Sequence, residues 1–252
     1  AQNVTANKRI GLILMEKGQV TNGMVYLETA NALSPEDPEI MMALADGYVK
    51  TNRTKEAVDL LQKVKGKQPQ DAEVRYRLFV LLRNNNRLDE AVREMEGLLQ
   101  IKRDNSYLRE YAELLMRMGK SKQAKERVED ILATDPENID ALMLKAMIAR
   151  MEREYDEAVE IYKEISYIDP NNADALFERA ETHMLQSKIQ WASTFYNRAL
   201  RADPNHALAE LGLGKIAKIT KRRDAYVQHV KKAYKINPKH PEIAKEYREA
   251  VR

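Results

Sequence analysis

Apolar residues along this chain come in two short helical stripes that recur with a fixed period. Prolines set the register: Pro136, Pro170, Pro204 and Pro238 stand 34 residues apart, and Pro35 and Pro69 share that spacing. Numbering each unit so that its proline is position 32 starts units at Val4, Pro38, Ala72, Asn105, Ile139, Ala173 and Ala207. Apolar residues then fall at positions 4, 7, 8 and 11, and again at 20, 24 and 27. This i, i+3, i+4 spacing puts each set on one face of a helix. Every unit is therefore expected to be a pair of helices, here termed A and B.

Small residues recur where the two helices would have to touch. Position 8 reads Gly11, Ala45, Phe79, Ala112, Ala146, Ala180 and Gly214, and position 20 reads Gly23, Ala57, Ala91, Ala124, Ala158, Ala192 and Tyr226. At position 15 the first four units carry Gly18, Asn52, Asn86 and Gly119, residues that enter the left-handed backbone region at little cost and so end helix A. Proline at position 32 stops helix B, and an Asn, Asp or His after it caps the next helix A. The phrases "DPNNADA" from Asp169 and "DPNHALA" from Asp203 are thus punctuation between hairpins rather than ligand motifs.

The 34-residue helix-turn-helix with small residues at 8 and 20 and proline at 32 resembles the tetratricopeptide repeat (TPR) family. The resemblance spans residues 4–240 and implies an all-α, right-handed α-solenoid. It divides the chain into repeats 4–37, 38–71, 72–104, 105–138, 139–172, 173–206 and 207–240. Residues 241–252 are left as a C-terminal cap or the start of an eighth repeat. The sequence departs from the pattern at Asn7, Arg75 and Glu210, which stand at position 4 where a bulky apolar residue is usual, and at Phe79. The segment Ile101 to Ser106 has lost both a proline and one residue, which fits either a hinge or a shortened turn with ordinary packing. In the last segment, Ala244, Tyr247 and Val251 are expected to pack and Glu242, Lys245, Glu246, Arg248 and Glu249 to face water.

Composition narrows the chemistry. The 252 residues include no cysteine, which removes disulfides, thiolate nucleophiles and cysteine-ligated metals and leaves both cytoplasm and periplasm open. No apolar run approaches the roughly 20 residues of a membrane-spanning helix. The histidines, His183, His206, His229 and His240, form no metal-binding pair, and His183 falls at core position 11. No phosphate-binding loop or catalytic motif is present, so no catalytic residue, metal site or cofactor is assigned. The stretch from Lys215 to Arg252 carries twelve Lys and Arg against four Asp and Glu, without interleaved stacking aromatics, and reads as a basic end rather than a nucleic-acid site.

The resemblance places ligand contacts on the concave face, at helix A positions 2, 5, 9, 12 and 13. Seven of the eleven methionines project there, and flexible thioethers suit a surface that grips apolar side chains of varied shape. The candidate groove is Met116, Arg117, Met143, Met147, Arg150, Met151, Phe177 and Met184, the arginines meeting acidic groups at its rim. Filling of gaps between A helices is the competing role for these methionines. Position 9 carries no asparagine, so the carboxylate clamp of TPR co-chaperones is not expected. A second candidate for partner binding is an exposed apolar patch on the outer face of helix B, Ile161, Trp191 and Phe195; covering the adjoining hairpin or a second copy of the chain is the competing role. The expected function is a non-enzymatic scaffold that binds a partner's peptide or helix in a multiprotein assembly such as bacterial envelope or secretion machinery. The alternatives are an accessory domain of a larger enzyme or an exopolysaccharide or secretion protein, and a chaperone for an export substrate.

Overall fold

The computed structural model describes residues 3–251 and, among them, only α-helices and the turns that join them. The A helices are α1 (Val4–Glu16), α3 (Pro38–Lys50), α5 (Ala72–Asn84), α7 (Asn105–Arg117), α9 (Ile139–Met151), α11 (Ala173–Leu185) and α13 (Ala207–Ile219). The B helices are α2 (Val20–Leu33), α4 (Thr54–Lys67), α6 (Leu88–Ile101), α8 (Ser121–Leu132), α10 (Tyr155–Ile168), α12 (Ile189–Ala202) and α14 (Arg223–Ile236), and α15 (Pro241–Ala250) follows. The chain divides into two compact parts, residues 1–114 and 115–252. Within each, hairpins stack side by side in the manner of an α-solenoid.

One device closes every hairpin. The residue at position 15 has positive φ in all seven turns: Gly18, Asn52, Asn86, Gly119, Arg153, Ser187 and Lys221, at 58 to 77°. The amide after it reaches back to the carbonyl five residues earlier, as in Gln19 to Leu14 at 2.9 Å, Arg53 to Tyr48 at 2.7 Å and Arg222 to Ala217 at 2.8 Å. This is the Schellman closure, which satisfies carbonyls left open at a helix end. The sequence marks the first four turns by glycine or asparagine. Arg153, Ser187 and Lys221 take the same conformation without that help, at a cost of roughly 1–2 kcal/mol each for a side chain in the left-handed region.

The A helices start on side-chain caps. Asp37 and Asp71 accept from amides of Glu39 and Glu73 at 2.9 Å, Asn138 and Asn172 from Ala141 and Ala175, and His206 Nδ1 from Ala209 at 3.1 Å. Each such cap stabilises a helix by typically about 1 kcal/mol. The linker 102–104 has three residues where the linkers 34–37, 68–71, 169–172 and 203–206 have four. It still caps its helix, with Asp104 accepting from the Ser106 amide at 2.9 Å and hydroxyl at 2.6 Å.

Small residues let paired helices touch. A Cβ on Gly23 would stand 2.8 Å from the Gly11 carbonyl oxygen, so α1 and α2 meet backbone to backbone. Leu27, Ala30, Ile40 and Leu44 fill the space beside them. Residues 115–251 contain three further apolar clusters, around Tyr162, Tyr196 and Tyr226. In the last of these, Ile243 and Ala250 of α15 are buried, and the Tyr247 ring stacks on Tyr234 with centroids 4.0 Å apart. The expected packing of Val251 is not found: it is exposed, and Ile243 fills the interface instead. Ile243 precedes Ala250 by seven residues, two helical turns, so these two define the stripe.

The polar residues at position 4 are satisfied inside the stack. Glu94 binds Lys65 at 2.6 Å and Arg75 at 3.2 Å, and the Arg75 guanidinium lies across Gly97, where a Cβ would come within 2.5 Å of Nη1. Glu210 binds His229 Nδ1 at 2.6 Å with Lys232 at 3.5 Å. Asn7 is buried and donates to the Asn3 carbonyl at 3.1 Å.

Candidate interaction surface

The face made by A-helix positions 5, 9, 12 and 13 is hollowed in the N-terminal part. One cavity of about 470 Å³ is lined by Leu12, Met15, Met42, Asp46, Lys50 and Arg77 among others. Another of about 380 Å³ is lined by Val49, Tyr76, Arg77 and Val80. Arg77 bridges them and is held by Asp46 at 2.7 Å and by Glu73 at 2.7 Å.

On the C-terminal part, the candidate groove residues separate into a floor and an edge. Met116 is buried, and Met143, Met147, Phe177 and Met184 are half-buried. Met143 packs on the cluster around Tyr162, and Phe177 and Met184 on the cluster around Tyr196. The Phe177 ring lies 5.9 Å from Tyr196 and 4.8 Å from His206, which makes it structural packing as much as surface. Met151 is 51% exposed. Leu185 and Ile219, each 55% exposed, stand at the same position 13 of the next two A helices. The last residues of α9, α11 and α13 thus form a row of three exposed apolar side chains, and Arg117 occupies the equivalent place on α7. Ile219 escapes an assignment from methionine content; the signal that finds it is its repeat position.

The arginine at the rim is already engaged. Arg150 at position 12 donates to Glu178 at position 6 of the next repeat. Burial works against its charge, yet the Glu178 carboxylate outweighs that and raises its pKa. Arg150 therefore ties α9 to α11, and an acidic ligand would have to displace Glu178. Lys218 and Glu246 repeat the relationship at 3.0 Å. From below, Tyr196 on α12 donates to Glu181 on α11; burial, then the Glu181 charge, raises the phenol's pKa. The Tyr162 hydroxyl is buried without a hydrogen-bond partner, and burial likewise pushes its pKa up.

The outer apolar patch is not assembled as expected. Ile161 and Phe195 are 7% and 4% exposed and belong to the clusters between hairpins, because helix B positions 23 turn toward the adjoining A helix. Trp191 alone of the three is exposed, at 58%. It lies beside the buried His183 ring, 6.1 Å away, and Phe195 completes a three-ring cluster at 5.4 Å from His183 and 6.4 Å from Trp191. Burial lowers the His183 pKa, which keeps the ring neutral at physiological pH.

Among the described residues, no group of three or more His, Asp or Glu is placed to hold a metal ion, and no helix is long and apolar enough to cross a membrane. The basic run Lys221, Arg222 and Arg223 closes the last turns: Arg222 donates to Thr220 Oγ1 at 3.0 Å and Arg223 to the Ala250 carbonyl at 3.1 Å.

Stacked hairpins with a Schellman closure at every turn define a helical-repeat protein. A sequence profile of the tetratricopeptide repeat matches residues 14–78, 82–148 and 149–216, and the chain belongs to that family. No curated protein sequence matches it. Among solved structures, a tetratricopeptide repeat protein from Parabacteroides merdae is similar with a TM-score of 0.73 and 15% identity, all of both chains being covered. PilW, a widely conserved type IV pilus biogenesis factor, gives 0.64 and 18% over 85% of this chain and 98% of its own. YrrB, a TPR protein with an unusual peptide-binding site, gives 0.55 and 18% over 73% of this chain and 95% of its own. At these identities the likeness is one of fold.

Proposed function

We propose that the chain is a non-catalytic scaffold that holds an apolar peptide segment of a partner protein along the ends of α9, α11 and α13. The observation that carries this is the row of Met151, Leu185 and Ile219, exposed at one repeat position on three successive A helices. Exposed apolar side chains scattered singly are ordinary, whereas a periodic row forms a continuous surface that a ligand can cover. Met147 sits one turn deeper in α9 and can adapt its side chain to what lies above it.

The test replaces Met151, Leu185 and Ile219 together by serine and measures affinity for a partner co-purified with the full chain. Central apolar anchors set the scale, so binding falls by about 2–4 kcal/mol. The melting temperature changes little, since all three side chains are half exposed. Undiminished affinity in the folded variant refutes this site.

A further inference from the structure

We propose that α11 and α12 carry a second binding site, separate from the A-helix row, that takes an acidic segment of a partner protein between Arg179 and Arg198 with an apolar side chain against Trp191. Both arginines address one aromatic ring: the Arg179 guanidinium carbon lies 4.1 Å from the Phe195 centroid and that of Arg198 5.4 Å. Among the described residues, no carboxylate forms an ion pair with either. The Nε of Arg179 is shielded from solvent and has no acceptor. Glu160, the acid that acts on Arg179 electrostatically, is bonded to Lys163 at 2.9 Å instead.

The contrast within the same protein is what makes this pair unusual. Arg75, Arg83 and Arg150 are comparably sheltered, and each has a carboxylate within bonding distance. A partly buried guanidinium is costly to leave without a counter-charge, and here two like charges lie over one ring. Burial and the neighbouring Arg198 depress the pKa of Arg179, the direction expected of a site that lacks an anion. A carboxylate can engage a guanidinium through paired hydrogen bonds, which gives such a ligand both strength and orientation. The exposed faces of Trp191 and Tyr167, 58% and 76% exposed, offer apolar area beside the charge. The site does not depend on the groove reading.

Trp191 is the only tryptophan, so its fluorescence reports this site alone. The probe is the blocked tetrapeptide Glu-Asp-Phe-Asp, titrated into the full chain beside its Gln-Asn-Phe-Asn counterpart and inorganic phosphate. The acidic peptide is expected to change Trp191 emission saturably in the millimolar range or below, and added salt to weaken it. Arg198→Gln alone, and Arg179→Gln with Arg198→Gln, should each weaken it by about tenfold or more. The single variant keeps the Arg179 contact with Phe195 and serves if the double variant fails to fold. No saturable change, an equal response to the neutral peptide or to phosphate, or unaltered affinity in folded Arg198→Gln overturns the proposal.

Discussion

Arg83 Nη1 lies 2.6 Å from Glu110 Oε2, joining position 12 of one repeat to position 6 of the next. The pairs Arg150–Glu178 and Lys218–Glu246 repeat this offset, so a charge latch ties successive A helices at three joints. The Arg150–Glu178 pair has both side chains 22% exposed, sheltered enough to exceed the few tenths of a kcal/mol of a surface pair. A double-mutant cycle with Arg150→Met and Glu178→Gln, measured by urea unfolding, is expected to show about 1 kcal/mol of coupling. Additive effects of the two substitutions would mean that the latch contributes nothing.

Arg153, Ser187 and Lys221 hold left-handed conformations that glycine adopts freely. Each change to glycine should raise stability by about 0.5–1 kcal/mol, the relief of strain being partly offset by the greater entropy of the unfolded chain. Gly119→Ala, at φ 71°, should do the reverse. Thermal melts of the four variants check both signs.

Tyr162 and Tyr196 occupy equivalent B-helix positions but answer differently to loss of the hydroxyl. The Tyr162 hydroxyl is buried and unpartnered, so Tyr162→Phe should leave stability unchanged or raise it. Tyr196→Phe takes a donor from Glu181 and should destabilise by about 1–2 kcal/mol. Equal effects in chemical denaturation would contradict this assignment of partners.

Glu210 supplies a pH dependence. Burial tends to raise its pKa, but the hydrogen bond from His229 outweighs this and lowers it below the ordinary 4.5. A depressed carboxyl pKa contributes stability that is present above 4.5 and lost as pH falls through the folded value. The wild-type melting temperature should therefore drop more steeply below pH 4.5 than that of Glu210→Gln, which should start lower at neutral pH.

Much of the fold is legible in the sequence because its signals are local and repeated. Proline at position 32, Asx caps and small residues at 8 and 20 each act on neighbouring backbone, and their recurrence in most of the seven units reinforces one register. The turns at Arg153, Ser187 and Lys221 are not legible alone, since nothing in those residue types favours positive φ; the repeat imposes it. Surface assignments fare less well because a helical face does not reveal how deep it lies. Phe195 and Trp191 share a stripe at i and i+4, yet the first is enclosed by Arg179, His183 and Arg198 and the second is open. Arg150 similarly looks like a free rim charge until its partner, 28 residues away, is brought beside it.

Amide hydrogen exchange of the full chain, with and without a co-purified partner, distinguishes binding along the A helices from binding elsewhere. Exchange is expected to slow in the last turns of α9, α11 and α13, around Met151, Leu185 and Ile219, with little change in α8 and α14. Protection confined to B helices, or none in α9 and α13, would contradict binding along the A helices.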